Sequence, residues 1–225
     1  MVKGLTLGNV AISKGGAPLL SLSATVAPGE VLSIMGPSGV GKSTLLAFVT
    51  GTLAPVFSAS GSVHLDGQDI THTPPHQRRV GILFQDDLLF PHLSVGANLA
   101  FGLQVGGTKQ ERLAKINAAL TEVGLEGFAN RDPATLSGGQ KARVALMRML
   151  LSEPSALLLD EPFSRLDSAL RAQVRELVFA RASARGLPVL MVTHDAEDAA
   201  AAGGEIITLT PIQYCRGKHG SKLTQ

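Results

Sequence analysis

Gly36-Pro37-Ser38-Gly39-Val40-Gly41-Lys42-Ser43 matches the pattern G-x-x-x-x-G-K-[ST] in full. Its glycines let consecutive N–H groups turn inward around phosphates without side-chain clashes. Lys42 supplies a point charge to the β- and γ-phosphates of a nucleotide, and Ser43 offers a hydroxyl to Mg²⁺. A glycine-rich turn that merely joins a strand to a helix is the bland alternative. Lys and Ser at these offsets, after an apolar strand, argue against it. Far downstream, Asp160 and Glu161 end the apolar run Ala156-Leu157-Leu158-Leu159. At the C-terminal edge of a strand, Asp160 can hold Mg²⁺ through water, and Glu161 can orient and deprotonate an attacking water. Acidic residues also favour helix starts, but beside a phosphate-binding loop the catalytic reading is the stronger one. A second glycine-rich stretch, Leu136-Ser137-Gly138-Gly139-Gln140, opens a helix with one hydroxyl and backbone N–H groups, which again suits a phosphate. One small chain does not need it for its own nucleotide. Two such elements suggest two chains that share their nucleotides.

The elements that must position these residues alternate. Val31 to Met35 reads as a buried strand, and the segment from Thr44 to Val49 begins a helix, the context a phosphate-binding loop requires. Leu5 to Ser13 and Leu20 to Val26 alternate as strands, with Pro28-Gly29 as a turn. Ser62 to Leu65, followed by Asp66-Gly67, looks like one arm of a hairpin. Val80 to Phe84 is a short buried strand ending at Gln85, and Ala156 to Leu159 and Pro188 to Val192 are strands of parallel type. Between Gln85 and Leu150 the texture is helical: Leu113, Ile116, Leu120 and Val123 form one helix face, and Val144, Met147 and Leu151 another. Ile206 to Leu209 is the expected last strand, with a mobile tail from Gln213 onward. Strands alternating with helices imply a parallel sheet with right-handed crossovers.

Composition narrows the class. The 225 residues suit one α/β domain with a sizeable core. A net charge of +2 gives no argument for nucleic acid. The single cysteine, Cys215, rules out a disulfide framework within the chain and suits a reducing compartment. Neither a signal peptide at Met1 to Thr6 nor an apolar run of the roughly 20 residues that cross a bilayer is expected.

The three motifs, in this order, resemble the ATPase subunit of an ABC transporter, from about Leu5 to Leu209. The resemblance implies an α/β P-loop NTPase of RecA-like type. A parallel sheet core would carry an N-terminal antiparallel β subdomain and an inserted helical subdomain. It implies one domain over 1–225, with 1–85 and 151–210 as nucleotide-binding core, 86–150 as helical signature subdomain and 211–225 as tail. ATP and Mg²⁺ are the implied ligands, with Gly36 to Ser43 and Thr44 around the phosphates and Ser43, Gln85 and Asp160 near the metal. Gln85 would sense the γ-phosphate and couple the subdomains. His194, after Val192-Thr193 and before Asp195, would hydrogen-bond the γ-phosphate. Ser137, Gly138, Gly139 and Gln140 would close on the nucleotide of an opposing copy, and Asp167 would belong to a loop crossing between the copies. Members of the family carry an aromatic side chain near the N-terminal strands that stacks on adenine. Here Lys14-Gly15-Gly16-Ala17-Pro18 occupies that region and Phe48 is the first aromatic residue, so adenine is expected to lean on Ile12 or Pro18.

Phe90-Pro91-His92-Leu93-Ser94-Val95 with Asn98 is similar to bacterial importer ATPases, and Phe163-Ser164-Arg165-Leu166-Asp167 to a small branch near the thiamine importers. That implies membrane permease subunits as partners, indirectly a periplasmic solute-binding protein, and a place on the cytoplasmic face of the bacterial inner membrane. The C-terminal regulatory domain of larger sugar and polyamine members is not expected here. A groove beside Leu88, Leu89, Phe90 and Leu93 would take a short permease helix, with one or two of the four packing the helical subdomain instead. ATPases acting on DNA place a long coiled coil between the motifs, and those acting in translation join two ATPase units; neither feature is present. An exporter is the alternative within transport.

Overall fold

The computed structural model describes residues 3–164 and 166–210. Five strands, β3 (Val31–Met35), β6 (Val80–Leu83), β7 (Ala156–Asp160), β8 (Val189–Val192) and β9 (Glu205–Thr208), form a parallel sheet in the order β6-β7-β8-β3-β9. Runs such as Val189-Leu190-Met191-Val192 are buried throughout because helices or a second sheet cover both faces. Alternate residues divide between two cores. Leu157, Leu159, Val189 and Met191 face one, while Leu158, Leu190, Val192 and Ile34 face the other.

Register then decides where the chemistry lies. Ile34 and Asp160 both pair with Val192, and Leu83 pairs with Leu159, so β3, β6, β7 and β8 end level. The residues that follow these ends, Gly36, Gln85, Glu161 and His194, therefore leave the sheet along one edge. This is the edge where open parallel sheets hold ligands.

The second sheet is antiparallel, in the order β2-β1-β4-β5, from β1 (Leu5–Lys14), β2 (Ala17–Val26), β4 (Phe57–Leu65) and the two-residue β5 (Gln68–Asp69). β2 begins three residues earlier than the alternation suggested, because the turn needs only Gly15 and Gly16, both at positive φ. Asp66 and Gly67, at φ 51° and 82°, make the expected tight hairpin into β5.

α1 (Lys42–Thr50) buries Leu45, Leu46 and Val49 against the antiparallel side. Between β6 and β7 the chain makes α2 (Val95–Gly102), α3 (Lys109–Glu122) and α4 (Gly138–Leu150) before returning to the adjacent strand. α5 (Ser168–Ala184) and α6 (Ala196–Ala202) complete the α/β architecture expected from the motif order. One expected core residue is not buried: Leu113 of α3 is half exposed. Its counterparts on α2 are the small Gly96, Ala97 and Ala100, which leave an open groove there. The expected mobile tail and Cys215 lie outside the described residues.

Candidate active site

Gly41 is the residue before α1, at φ 103°, and no side chain caps this helix N-terminus. Its first N–H groups are thus left for something the cleft can bind, and an anion is what an uncapped helix start attracts. Gly36 is glycine for a spatial reason. It sits at φ +148°, and a Cβ there would fall 2.7 Å from the Leu209 carbonyl oxygen. The Lys42 side chain is buried and donates to the carbonyls of Gly36, at 2.7 Å, and Pro37, at 3.1 Å. The ammonium is thereby stretched across the mouth of the loop by the loop itself.

Ser43 Oγ donates to Asp160 Oδ1 at 3.1 Å, tying the start of α1 to the end of β7. Burial pushes the Asp160 carboxyl above its ordinary range; the Ser43 bond and Lys42 oppose the shift, while neighbouring Glu161 adds to it. A hydroxyl and a carboxylate at this spacing are hard oxygen donors. They suit Mg²⁺, which takes one or two protein ligands and fills the rest with water and phosphate. Gln85 lines the same cleft of about 430 Å³, together with Ser38, Gly39, Thr44 and Glu161.

Glu161 holds a backbone conformation that non-glycine residues avoid, φ 49°. Such a left-handed residue costs on the order of 1–3 kcal/mol and persists only where its surroundings enforce it. Here its N–H donates to the Val192 carbonyl at 3.0 Å, across the end of β8. Its Oε2 lies 2.7 Å from His194 Nδ1. That bond occupies Nδ1 and leaves Nε2 of an exposed ring available. His194 is itself steadied from the next residue: Asp195 caps α6 with one oxygen and takes Arg171 of α5 with the other.

Not every expected residue meets this cleft. Ser137, Gly139, Gln140 and Asp167 do not line it, and Gly138 lines a separate cavity of about 210 Å³ shared with Gln85. Ser137 and Gln140 close a reciprocal capping box: Ser137 Oγ accepts from Gln140 N at 3.3 Å, and Gln140 Oε1 accepts from Ser137 N at 3.0 Å. Gly139 packs against α5, where an added Cβ would lie 1.8 Å from Leu170 Cδ2. Asp167 caps α5 through Leu170 N at 3.0 Å. Arg165 lies outside the described residues.

One expectation is corrected in part. Ile12 is buried in the core and cannot support a base; Phe57 and Leu19 line the cleft instead. Of the apolar residues after Gln85, Leu88 is exposed while Leu89 packs against the helical core, so only part of the segment is free. Phe90 and Leu88 border a groove of about 490 Å³ together with exposed Phe101.

Sequence reasoning missed what fixes this segment. Asn98 is fully buried and grips Phe90 at both N–H and carbonyl, and the Leu93 and Ser94 carbonyls. Arg148, near the far end of α4, donates to the Asp87 and Leu88 carbonyls and to Asn98. The segment after Gln85 is thus bonded to the helix that begins at Gly138. An arginine within the otherwise apolar stretch from Val144 to Leu151 was the signal available for it.

No helix among the described residues is long and apolar enough to cross a membrane. A family profile described as ABC transporter matches residues 19–164. The chain is 52% identical over 180 residues to an uncharacterized ABC transporter ATP-binding protein, YnjD, of Escherichia coli (strain K12), covering 80% of this chain and 83% of that one. It is 45% identical over 198 residues to the thiamine import ATP-binding protein ThiQ of Jannaschia sp. (strain CCS1), covering 87% and 84%. With ThiQ of Escherichia coli (strain K12) the identity is 46% over 182 residues, covering 80% and 77%.

Proposed function

Because the chain belongs to the ABC transporter family and is an ATPase of it, we propose that it powers solute import by ATP-driven closure of a homodimer beneath a membrane permease. The observation that carries this reading is the level sheet edge, which puts Lys42, Ser43, Gln85, Asp160 and Glu161 around one cleft. In it, Lys42 and the N–H groups of the uncapped α1 hold the phosphates of ATP. Ser43 and Asp160 hold Mg²⁺, which when bound neutralises charge on the β- and γ-phosphates. Glu161 takes the proton from the attacking water. His194, with Nδ1 committed to Glu161, turns Nε2 toward the γ-phosphate and keeps the carboxylate aimed.

Ser137 to Gln140 act on the nucleotide of the second copy, with Asp167 near the crossing between the copies. ATP binds the closed pair better than the open one, and that difference in affinity drives closure. The 1–85 and 151–210 portions serve as nucleotide-binding core and 86–150 as the helical unit, moved through Gln85. The groove at Leu88, Phe90 and Phe101 receives a cytoplasmic helix of the permease by apolar anchors. The relatives named for thiamine import support a small, thiamine-like solute. On this reading a periplasmic binding protein delivers it, and the chain works on the cytoplasmic face of the inner membrane.

The test is purification of tagged Glu161→Gln protein from its own cells with ATP and magnesium. A polytopic membrane protein should copurify, and thiamine uptake should fall when the gene is deleted. Recovery with ribosomes or DNA in place of a membrane protein would overturn the transport reading.

A further inference from the structure

The cleft does not end at the phosphate loop. It continues from Gly41 along Leu19 to Phe57 and Lys14. Leu19 is seated against the loop, since a Cβ on Gly41 would lie 2.9 Å from Leu19 Cγ. Phe57 opens β4 and pairs directly with Lys14, the last residue of β1, so their side chains share one face of the antiparallel sheet. Lys14 Nζ stands 5.8 Å from the centre of the Phe57 ring, a cation–π contact. The ring is half-buried against the core formed by β1, β2 and α1, which fixes it, and its remaining surface borders the cleft.

A nucleotide whose phosphates sit on Lys42 and α1 must lay its base somewhere along this cleft. Among the described residues Phe57 is the aromatic group that lines it, and it comes from β4 rather than from the turn between β1 and β2. We propose that Phe57, flanked by Leu19, is the platform for the nucleotide base, and that the base takes the place of Lys14 over the ring. This rests on the phosphate reading above. Recognition is then by stacking on the π-face, supported by the edge of Leu19, with the Lys14 ammonium displaced toward solvent.

The test separates base from phosphate. Dissociation constants for ATP and for inorganic tripolyphosphate are measured by calorimetry on the parent, Phe57→Ala and Phe57→Leu proteins. Loss of a stacking partner should weaken ATP about 5- to 150-fold while tripolyphosphate stays within about twofold. Phe57→Leu keeps the apolar packing and should lose ATP affinity too, which guards against a folding defect in the alanine variant. The chain has no tryptophan, so Phe57→Trp gives a single reporter whose fluorescence ATP should quench and tripolyphosphate should not. Unchanged ATP affinity in both truncations, or equal weakening of both ligands, overturns the platform. If Lys42→Ala binds tripolyphosphate as the parent does, the phosphate site itself is misplaced and the platform falls with it.

Discussion

Two helix starts in this molecule carry glycine-rich, phosphate-type sequences, and the protein treats them in opposite ways. At α1 no side chain caps the N-terminus, Lys42 is held across the loop, and an acidic pair faces it from β7 and its end. At α4 the chain's own Ser137 and Gln140 close a full capping box, and the Gly138 side opens on a different cavity. The free N–H groups at the first are an unmet demand that a nucleotide can satisfy. At the second, two of those groups already have partners, so little within one chain would hold an anion there. The difference teaches that, among the described residues, the α1 start is the one left open for a phosphate within a single copy. On the proposed reading, the α4 start meets the nucleotide of a second copy.

The largest effects should come from breaking the complete site. Lys42→Ala removes the buried ammonium, and both nucleotide affinity and turnover should fall, turnover by about 10²–10³-fold on the scale of losing one preorganised charge. Glu161→Gln should reduce turnover by about 10²–10⁴-fold, the range for a general base, while ATP affinity stays near that of the parent. Equilibrium binding beside phosphate release distinguishes the two variants. A Glu161→Gln protein turning over at the parent rate would remove Glu161 from the role given.

The α4 start should respond differently. Ser137→Arg should leave ATP binding by the isolated subunit within about twofold, yet abolish the ATP-dependent dimer and with it turnover. Ser137→Thr keeps a capping hydroxyl and should dimerise normally. Sizing by light scattering, with and without ATP and magnesium in a Glu161→Gln background, reads this directly. Weakened ATP binding in the isolated Ser137→Arg subunit would mean that the two helix starts serve one nucleotide in one chain.

What the sequence made legible follows from how local each cause is. The strands β3, β7 and β8 announce themselves as short apolar runs because both faces are buried, and the α1 loop by glycines whose φ values demand them. Ser137 and Gln140 were visible three residues apart, although their mutual bonding appears only in three dimensions. Phe57 could not be found this way. It reaches the cleft because β4 pairs with β1 over a separation of 43 residues, with Lys14 opposite Phe57, and no pattern near Phe57 encodes that register. The left-handed Glu161 and the Asn98–Arg148 clamp are likewise products of packing, since their partners lie on other elements.

A smaller effect tests the surface that links the two regions. Leu88 is exposed beside the groove, and the Arg148 clamp holds its backbone rather than its side chain. Leu88→Glu should therefore leave basal ATP hydrolysis within about twofold and weaken permease binding and uptake. Pull-down with permease in membranes, set beside hydrolysis by the free subunit, separates these outcomes. Equal uptake by parent and variant would place the permease contact elsewhere.

The smallest effect concerns what the open α1 site costs the protein at rest. Burial raises the Asp160 pKa in the folded state, so folding disfavours the ionised carboxylate. Below the unfolded carboxylate range both states are protonated and no penalty applies. As pH rises through the unfolded pKa and then the folded one, the parent loses stability, and above that window the loss is constant. Asp160→Asn does not titrate and keeps an oxygen that can accept from Ser43. Without nucleotide it should melt higher than the parent at pH 7, with the gap closing as pH falls through the carboxylate range. Saturating ATP and magnesium should reverse the order, because ligand stabilises the parent by about 2.7 kcal/mol at 100 times Kd and the variant less. A parent that melts higher than Asp160→Asn at pH 7 without ligand would show that Ser43 and Lys42 already compensate the carboxylate, and that the α1 site is as self-satisfied as the α4 start.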